Sequence, residues 1–316
     1  MTVQPRLLHQ GRARSGGPRL DFDAEFVFEN APLAPYTSFR VGGPADILVG
    51  VRHSDQLVAV LEAAGGSGEP AFVFGRGSNL LFSDEGRRGI VVRNESSAID
   101  VRADGVIKVD SGVRLPALAI ETAKRGLTGM EWAVGIPGTV GGAVAMNAGA
   151  QGTSIEDILI KAVVYDRRSL AEIPTPEMEY SYRDSRLRRE REKTVLQAWF
   201  HLQPADPTEC LKLVEEFRRR RKATQPTDPG AGSIFKNPEG DFAGRLIEAA
   251  GLKGERVGNA IVSPKHANFI INTGNAKAAE VRALMQIVRE RVKDRFDIWL
   301  EPEIELVGEG RAGGDE

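Results

Sequence analysis

Cysteine and histidine are scarce in this 316-residue chain, which has one cysteine, Cys210, and four histidines. A single thiol excludes an internal disulfide, and His9, His53, His201 and His266 are scattered without the spacing of a zinc site, so no metal is expected. Long apolar runs are missing too: nothing reaches the roughly 18 residues a membrane helix needs. Residues 1–20 carry Arg6, Arg12, Arg14 and Arg19 but no apolar stretch for a signal peptide. The first 30 or so residues therefore read as a flexible tail, with a basic transit leader as the minor alternative. Nor is charge of one sign in excess. With 42 basic and 44 acidic side chains the net is −2, which gives no overall field for nucleic acid or an anionic membrane. Any phosphate binding must be local. These absences fit a reducing cytoplasm and leave a small molecule as partner, with neither nucleic acid nor membrane involved; a monomer is expected, although no sequence feature fixes the oligomeric state.

Glycine, by contrast, is plentiful: 35 residues, concentrated between Gly42 and Gly152 and again from Gly230 to Gly258. Such clusters mark tight turns or backbone pressed against a ligand. Between them the elements alternate. Ser54 is placed to cap a helix carrying Leu57, Val58, Leu61 and Ala64, and strands are predicted over 71–74, 90–92, 161–165 and 194–202. Helical spacing returns over 115–125, and the charge-crowded stretch 183–193 reads as a surface connection. A domain boundary is expected near residue 205. Beyond it, 207–223 reads as an amphipathic helix with Leu211, Leu213, Val214 and Phe217 on its apolar side, followed by a loop over 225–230. Further helices are predicted over 242–250 and 276–295, the second burying Val281, Leu284, Met285, Val288 and Val292. Residues 298–306 alternate strictly, with Glu301, Glu303 and Glu305 on the polar side of a strand. The fold class is α+β.

Three glycine-bearing segments fall in the first domain: 37–44 (TSFRVGGP), 75–80 (GRGSNL) and 135–142 (GIPGTVGG). Glycine lets main-chain N–H groups converge on phosphate oxygens, and Ser78 and Asn79 add side-chain hydrogen bonds. Each segment alone is also an ordinary turn; together they point to a cofactor. None is a Walker sequence, and none is a clean G-x-G-x-x-G opening a helix after a strand, which excludes P-loop and Rossmann readings.

The segments 75–81 and 135–143, with Met146-Asn147-Ala148-Gly149-Ala150, Tyr182-Arg183-Asp184-Ser185, Gly232-Ser233-Ile234-Phe235-Lys236-Asn237-Pro238, residues 266–272 and Leu300-Glu301-Pro302-Glu303-Ile304, resemble the UDP-N-acetylenolpyruvoylglucosamine reductase (UDP-N-acetylmuramate dehydrogenase) family. The likeness covers roughly residues 35–307. About 50 positions separate Arg183 from Ser233, with no room for a tyrosine-loop insertion, so the chain is similar to the family's shorter branch. The resemblance implies an FAD-binding domain of the vanillyl-alcohol-oxidase or PCMH type, made of two α+β lobes over residues 31–205. A substrate domain over 206–300 and a C-terminal strand and tail over 301–316 would follow, the strand returning to the flavin.

It also implies NADPH as hydride donor, UDP-N-acetylglucosamine enolpyruvate as substrate, and a place in peptidoglycan synthesis, hence in cell shape and division. Cofactor-binding positions would be Val41, Gly75, Arg76, Gly77, Ser78, Asn79, Leu80, Gly135, Ile136, Pro137, Gly138, Thr139, Gly141, Gly142 and Ala143. Arg183 and Glu303 would stabilise an enediolate and Ser233 would deliver a proton, with Tyr182, Lys236 and Asn237 at the substrate. Without the resemblance, Arg183 is a solvated charge, Glu303 a surface residue and Ser233 a turn residue. The run Arg218-Arg219-Arg220-Arg221-Lys222 complements a helix C-terminus or binds the diphosphate of the UDP-sugar. His266 touches a cofactor or is simply packed, and Cys210 is a small residue on its helix. Two rivals remain: an FAD-linked oxidase of a sugar or alcohol on the same fold, and a nucleotide-sugar-binding protein without turnover.

Overall fold

In the computed structural model, residues 22–166 and 169–308 are described, together with the backbone of 6 and 7. Strands rich in β-branched and aromatic residues build the first lobe: Phe26–Pro32, Pro44–Val51, Ala71–Phe74 and Arg87–Asn94. Pro44–Val51 and Ala71–Phe74 both run parallel to Arg87–Asn94. Parallel neighbours need a crossover, and the helix Ser54–Ser67 supplies it, burying Leu57, Val60 and Ala64. Its N-cap is His53, not Ser54; Gln56 Oε1 accepts the His53 N–H at 3.2 Å. The expected tail of 30 residues is also too long, because Phe26–Pro32 pairs with Pro44–Val51 within the sheet. Most of the remainder of that tail lies outside the described residues.

The second lobe is an antiparallel sheet of Leu170–Pro174, Leu159–Tyr165, Thr194–His201, Val106–Asp110 and Ile99–Val101, in that order. The helices Leu115–Lys124 and Pro207–Thr224 belong with it. Packing displaces the boundary expected at 205, since Cys210, Val214 and Phe217 join the core of this lobe. The chain leaves it only in the loop after Gln225. The apolar face of helix Pro207–Thr224 also differs from expectation: Leu211 and Leu213 are exposed, and Cys210 takes the buried position beside Val214. One residue of rotation separates the two faces, and the neighbouring lobe selects the narrower stripe.

The C-terminal domain packs Ala243–Ala249 and Ala278–Phe296 with a three-stranded sheet, Arg256–Val257, Ala260–Val262 and Ile270–Asn272. All five stripe residues of Ala278–Phe296 are buried as the spacing predicts. Phe39, Val41 and Leu81 of the first lobe enter this domain's core. Asp84 reinforces the join by accepting the Ala278 and Ala279 N–H groups at 2.8 and 3.0 Å, capping a helix of the other domain. The final strand is short, Glu305–Val307, and runs parallel to Leu80–Phe82. Most of the alternating stretch before it is irregular, although Leu300 and Ile304 are buried as their parity requires.

Among the described residues no helix is long and apolar enough to cross a membrane, and no group of His, Cys, Asp or Glu is arranged to hold a metal ion.

Candidate active site

Two glycine loops meet where the lobes face each other. One links Ala71–Phe74 to Leu80–Phe82; the other lies between the 3-10 turn Glu131–Gly135 and the helix Val140–Ala145. Ser78 Oγ donates to Pro137 O at 2.9 Å, and a Cβ at Gly75 would stand 2.4 Å from Thr139 Oγ1. Gly77 has φ +59° and lies against Thr37, with Ser38 N–H donating to Gly77 O at 3.3 Å. The glycines at 75 and 77 therefore serve close packing of loop on loop, and Gly141 lies against Ser111, whose Cβ would stand 2.8 Å from a Cβ there. Arg76, Ser78, Gly135, Pro137 and Gly138 line the cavity. Val41 sits in the C-terminal core and Leu80 pairs with the final strand, so both support the loops from behind.

The cavity has a volume of about 540 Å³, and its walls carry Arg76, Arg93, Arg114, Arg218, Arg221 and Lys222. Arg93 has Glu95 at 2.7 Å. Arg221 is desolvated, which lowers its pKa, and it has no acidic partner among the described residues; its Cδ lies over the position a Gly135 Cβ would take. Arg76 is also lowered, by burial first and then by the repulsion of Arg114 and Arg93. Uncompensated guanidinium groups in a cleft call for an anion, and a pyrophosphate carried on glycine loops satisfies them. The residues present therefore fit FAD. Arg93 and Arg114 are legible in no local motif; only the fold brings them to the loops. The basic run contributes Arg218, Arg221 and Lys222 to this cavity, which is more than a helix-dipole role requires.

At a second edge the distant motifs meet. Asn268 Nδ2 donates to Phe235 O at 2.8 Å and its Oδ1 accepts the Phe235 N–H at 3.0 Å, which fixes the loop carrying Ser233. That loop zips to the chain around Glu303: Glu303 N–H donates to Ile234 O at 2.8 Å, and Lys236 N–H to Glu301 O at 2.9 Å. Asn79 holds the other side, its Nδ2 donating to Glu303 O at 3.2 Å. Arg183 Nε then donates to Glu303 Oε1 at 3.1 Å, while its terminal nitrogens donate to Gly149 O at 2.7 Å and Asn147 O at 3.4 Å. Arg183 and Glu303 are thus in contact and Ser233 is one residue from the backbone bond that holds Glu303.

Glu303 is largely buried, and burial pushes its carboxyl above the usual range; Arg183, Arg188 and Lys236 pull it back without prevailing. A carboxyl so placed can be a neutral hydrogen-bond donor. On the polar side of the alternating stretch Glu303 turns to Arg183, while Glu301 stays exposed to solvent. The stretch 183–193 is likewise more than a surface connection, because Ser185 and Leu187 are buried and Arg183 turns inward.

Tyr182 is exposed with its ring 5.2 Å from the Arg183 guanidinium carbon, and its hydroxyl accepts the Asn237 N–H at 3.5 Å. Asn237 Oδ1 accepts the Ala243 N–H, and Lys236 Nζ lies 3.5 Å from Glu301 Oε2. His266 is packed: its Nδ1 accepts the Asn268 N–H at 3.3 Å and its ring meets Phe269 edge-on. In that motif Asn268 organises the site. Cys210 is buried in the second lobe, as its small-residue reading requires.

Known proteins place this architecture. A model described as an FAD binding domain matches residues 45–168, and the chain is a flavoprotein oxidoreductase built on the PCMH-type fold. A second model, the C-terminal domain of UDP-N-acetylenolpyruvoylglucosamine reductase, matches residues 225–307. The reductase of that name from Rubrobacter xylanophilus is 42% identical over 303 residues, covering 96% of this chain and 100% of the relative. That from Synechococcus sp. is 46% identical over 287 residues, covering 89% and 93%. The crystal structure of the Thermus caldophilus reductase superposes with a TM-score of 0.76 at 37% identity, covering 87% of this chain and 97% of that one. The chain belongs to the UDP-N-acetylenolpyruvoylglucosamine reductase family.

Proposed function

We propose that the chain reduces UDP-N-acetylglucosamine enolpyruvate to UDP-N-acetylmuramate at the expense of NADPH. The carrying observation is the Arg183–Glu303 contact at 3.1 Å, with the Ser233 loop hydrogen-bonded to the backbone of residues 301 and 303. Bound FAD would supply the hydride chemistry, taking hydride from the nicotinamide for delivery to the terminal methylene carbon of the enolpyruvyl ether. Negative charge then spreads from the neighbouring carbon into the substrate carboxylate. The planar fork of Arg183 suits that pair of oxygens, and Glu303 in its neutral form donates a second hydrogen bond. Ser233 protonates the carbanionic carbon; an alcohol is a weak acid, but this centre is a strong base. Its hydroxyl donates to no acceptor among the described residues, which leaves it free to do so.

Arg76, Ser78, Gly138 and the basic end of helix Pro207–Thr224 would hold the cofactor pyrophosphate, while Tyr182, Lys236 and Asn237 border the substrate. Residues up to about 224 would act as the FAD-binding unit and the remainder as the substrate domain. We infer from this reaction a role in peptidoglycan synthesis, and so in cell shape and division, for an enzyme that acts in the cytoplasm as a monomer. Anaerobic stopped-flow absorbance tests the reading. NADPH should bleach the flavin and the enolpyruvyl UDP-sugar should restore its colour. Restoration by oxygen alone would favour a sugar or alcohol oxidase, and a protein that takes up no FAD would favour a binding protein.

A further inference from the structure

Arg183 stands where a tight turn ordinarily places glycine or asparagine. Ser181 and Asp184 exchange backbone hydrogen bonds at 3.1 and 3.2 Å, so Tyr182 and Arg183 are the central pair of a four-residue turn, and Arg183 has φ +57°. A positive φ at this position costs a long side chain about 1–2 kcal/mol. Something must hold it there, and strain of this kind is retained where surrounding contacts over-determine it. The side chain is tied to Glu303, Gly149 and Asn147. Asn147 Nδ2 steadies the start of the turn by donating to Ser181 O at 3.1 Å, and the backbone of residue 183 itself has one bond among the described residues: Arg188 Nη1 donates to Arg183 O at 2.7 Å.

Arg188 is itself fixed. Its N–H donates to Ser185 Oγ, the cap of the helical turn Arg186–Arg189, and Ser185 Oγ donates to Ala145 O at 2.6 Å on the glycine-rich helix. Arg188 lies in the charge-crowded stretch 183–193, where spacing alone gives it no role beyond a surface charge.

We propose that Arg188 is a positioning residue, whose charge-assisted hydrogen bond to the Arg183 carbonyl locks the left-handed turn and so aims the Arg183 guanidinium at Glu303. This rests on the reductase reading for its kinetic consequence, but the geometric claim stands apart from it. Only a single N–H···O bond is involved, so a lysine can substitute, unlike at a bidentate site. The test compares Arg188→Met and Arg188→Lys in the FAD-loaded protein. In Arg188→Met, reoxidation of the reduced flavin by the enolpyruvyl UDP-sugar should slow about tenfold to a hundredfold, the scale of a misplacement of about 1 Å. Flavin reduction by NADPH should change by less than about threefold, and Arg188→Lys should recover most of the lost rate.

A crystal structure of Arg188→Met should show residue 183 out of the left-handed region or its guanidinium withdrawn from Glu303. Unaltered reoxidation, equal slowing of both half-reactions, or an unmoved Arg183 would each overturn the proposal. Failure of the wild-type protein to be reoxidised by the sugar would instead overturn the substrate assignment, and the crystal structure would still decide the role of Arg188.

Discussion

Gly75→Ala isolates what the loop glycines contribute. Gly75 has a backbone conformation open to any L-residue, so the substitution acts through space alone. The new Cβ would stand 2.4 Å from Thr139 Oγ1, 2.5 Å from Cγ2 and 3.0 Å from Cβ. Carbon contacts are comfortable near 3.5 Å, so the loops at 75–79 and 135–139 must part by about 1 Å. Overpacking of this kind costs about 1–3 kcal/mol, which lowers the melting midpoint by about 2–4 °C per kcal/mol for a domain of 150–250 residues. If about 1.4 kcal/mol of that strain is confined to the cofactor-bound form, FAD binds about tenfold more weakly. Calorimetry and flavin fluorescence quenching measure the two effects. Thr139→Ala removes Oγ1 and Cγ2 and leaves only the 3.0 Å contact, so the double variant should be more stable than Gly75→Ala alone. The coupling should be about 1 kcal/mol or more. Wild-type midpoint and FAD affinity in Gly75→Ala would refute the claim that loop-to-loop contact, and not phosphate access, requires this glycine.

Ser233→Ala should leave flavin bleaching by NADPH intact and stop formation of UDP-N-acetylmuramate, as read by stopped flow and product analysis. For Glu303, burial raises the folded-state pKa above the unfolded one. Its stabilising share is therefore full at low pH and is lost as pH rises through a value above the ordinary carboxylate range. Glu303→Gln should lose less stability than the wild type between acid and neutral pH in denaturant titrations, while abolishing turnover. Arg221→Met keeps the stem over Gly135 but removes a desolvated charge worth about 1.5–3 kcal/mol to an anionic partner. Apoprotein stability should hold or rise, and diphosphate ligands, FAD by fluorescence and the UDP-sugar by calorimetry, should bind at least about tenfold more weakly in sum. Asp84→Ala should cost about 0.5–2 kcal/mol through loss of the inter-domain helix cap, seen as a lower chemical-denaturation midpoint.

Elements that draw their pattern from their own face were legible in the sequence. The helix Ala278–Phe296 was readable because its apolar stripe recurs at 3,4 spacing against a single neighbour, and Ala71–Phe74 because four apolar residues stand between turn signals. The buried face of helix Pro207–Thr224 is not legible from hydropathy, because Leu211 and Leu213 are more apolar than Cys210 while the second lobe accepts the stripe of Cys210, Val214 and Phe217. The same limit governs the domain boundary: the composition change falls near 205, but the packing change falls after 225.

The candidate site divides along the same line. Glycine loops and the Arg183, Ser233 and Glu303 contexts were readable as motifs, since each is contiguous. Cations brought in by the fold were not: Arg93 lies on a strand and Arg114 precedes a helix, and neither spacing predicts a shared cavity. Glu303 shows why a polarity pattern cannot settle burial. Alternation assigns it to the polar side of a strand; the regular strand begins only at Glu305, and Glu303 turns to Arg183 while Glu301 meets solvent. A period of two distinguishes one face from the other. Whether the polar face meets water or another motif depends on contacts 120 residues away in sequence, here the bond from Arg183 Nε to Glu303 Oε1. The chemistry proposed for this protein consequently rests on topology: the parallel pairing of Glu305–Val307 with Leu80–Phe82 places the Glu303 carboxyl beside the loop proposed to hold the cofactor. Disruption of that pairing should disable proton and hydride delivery together even where every motif is intact.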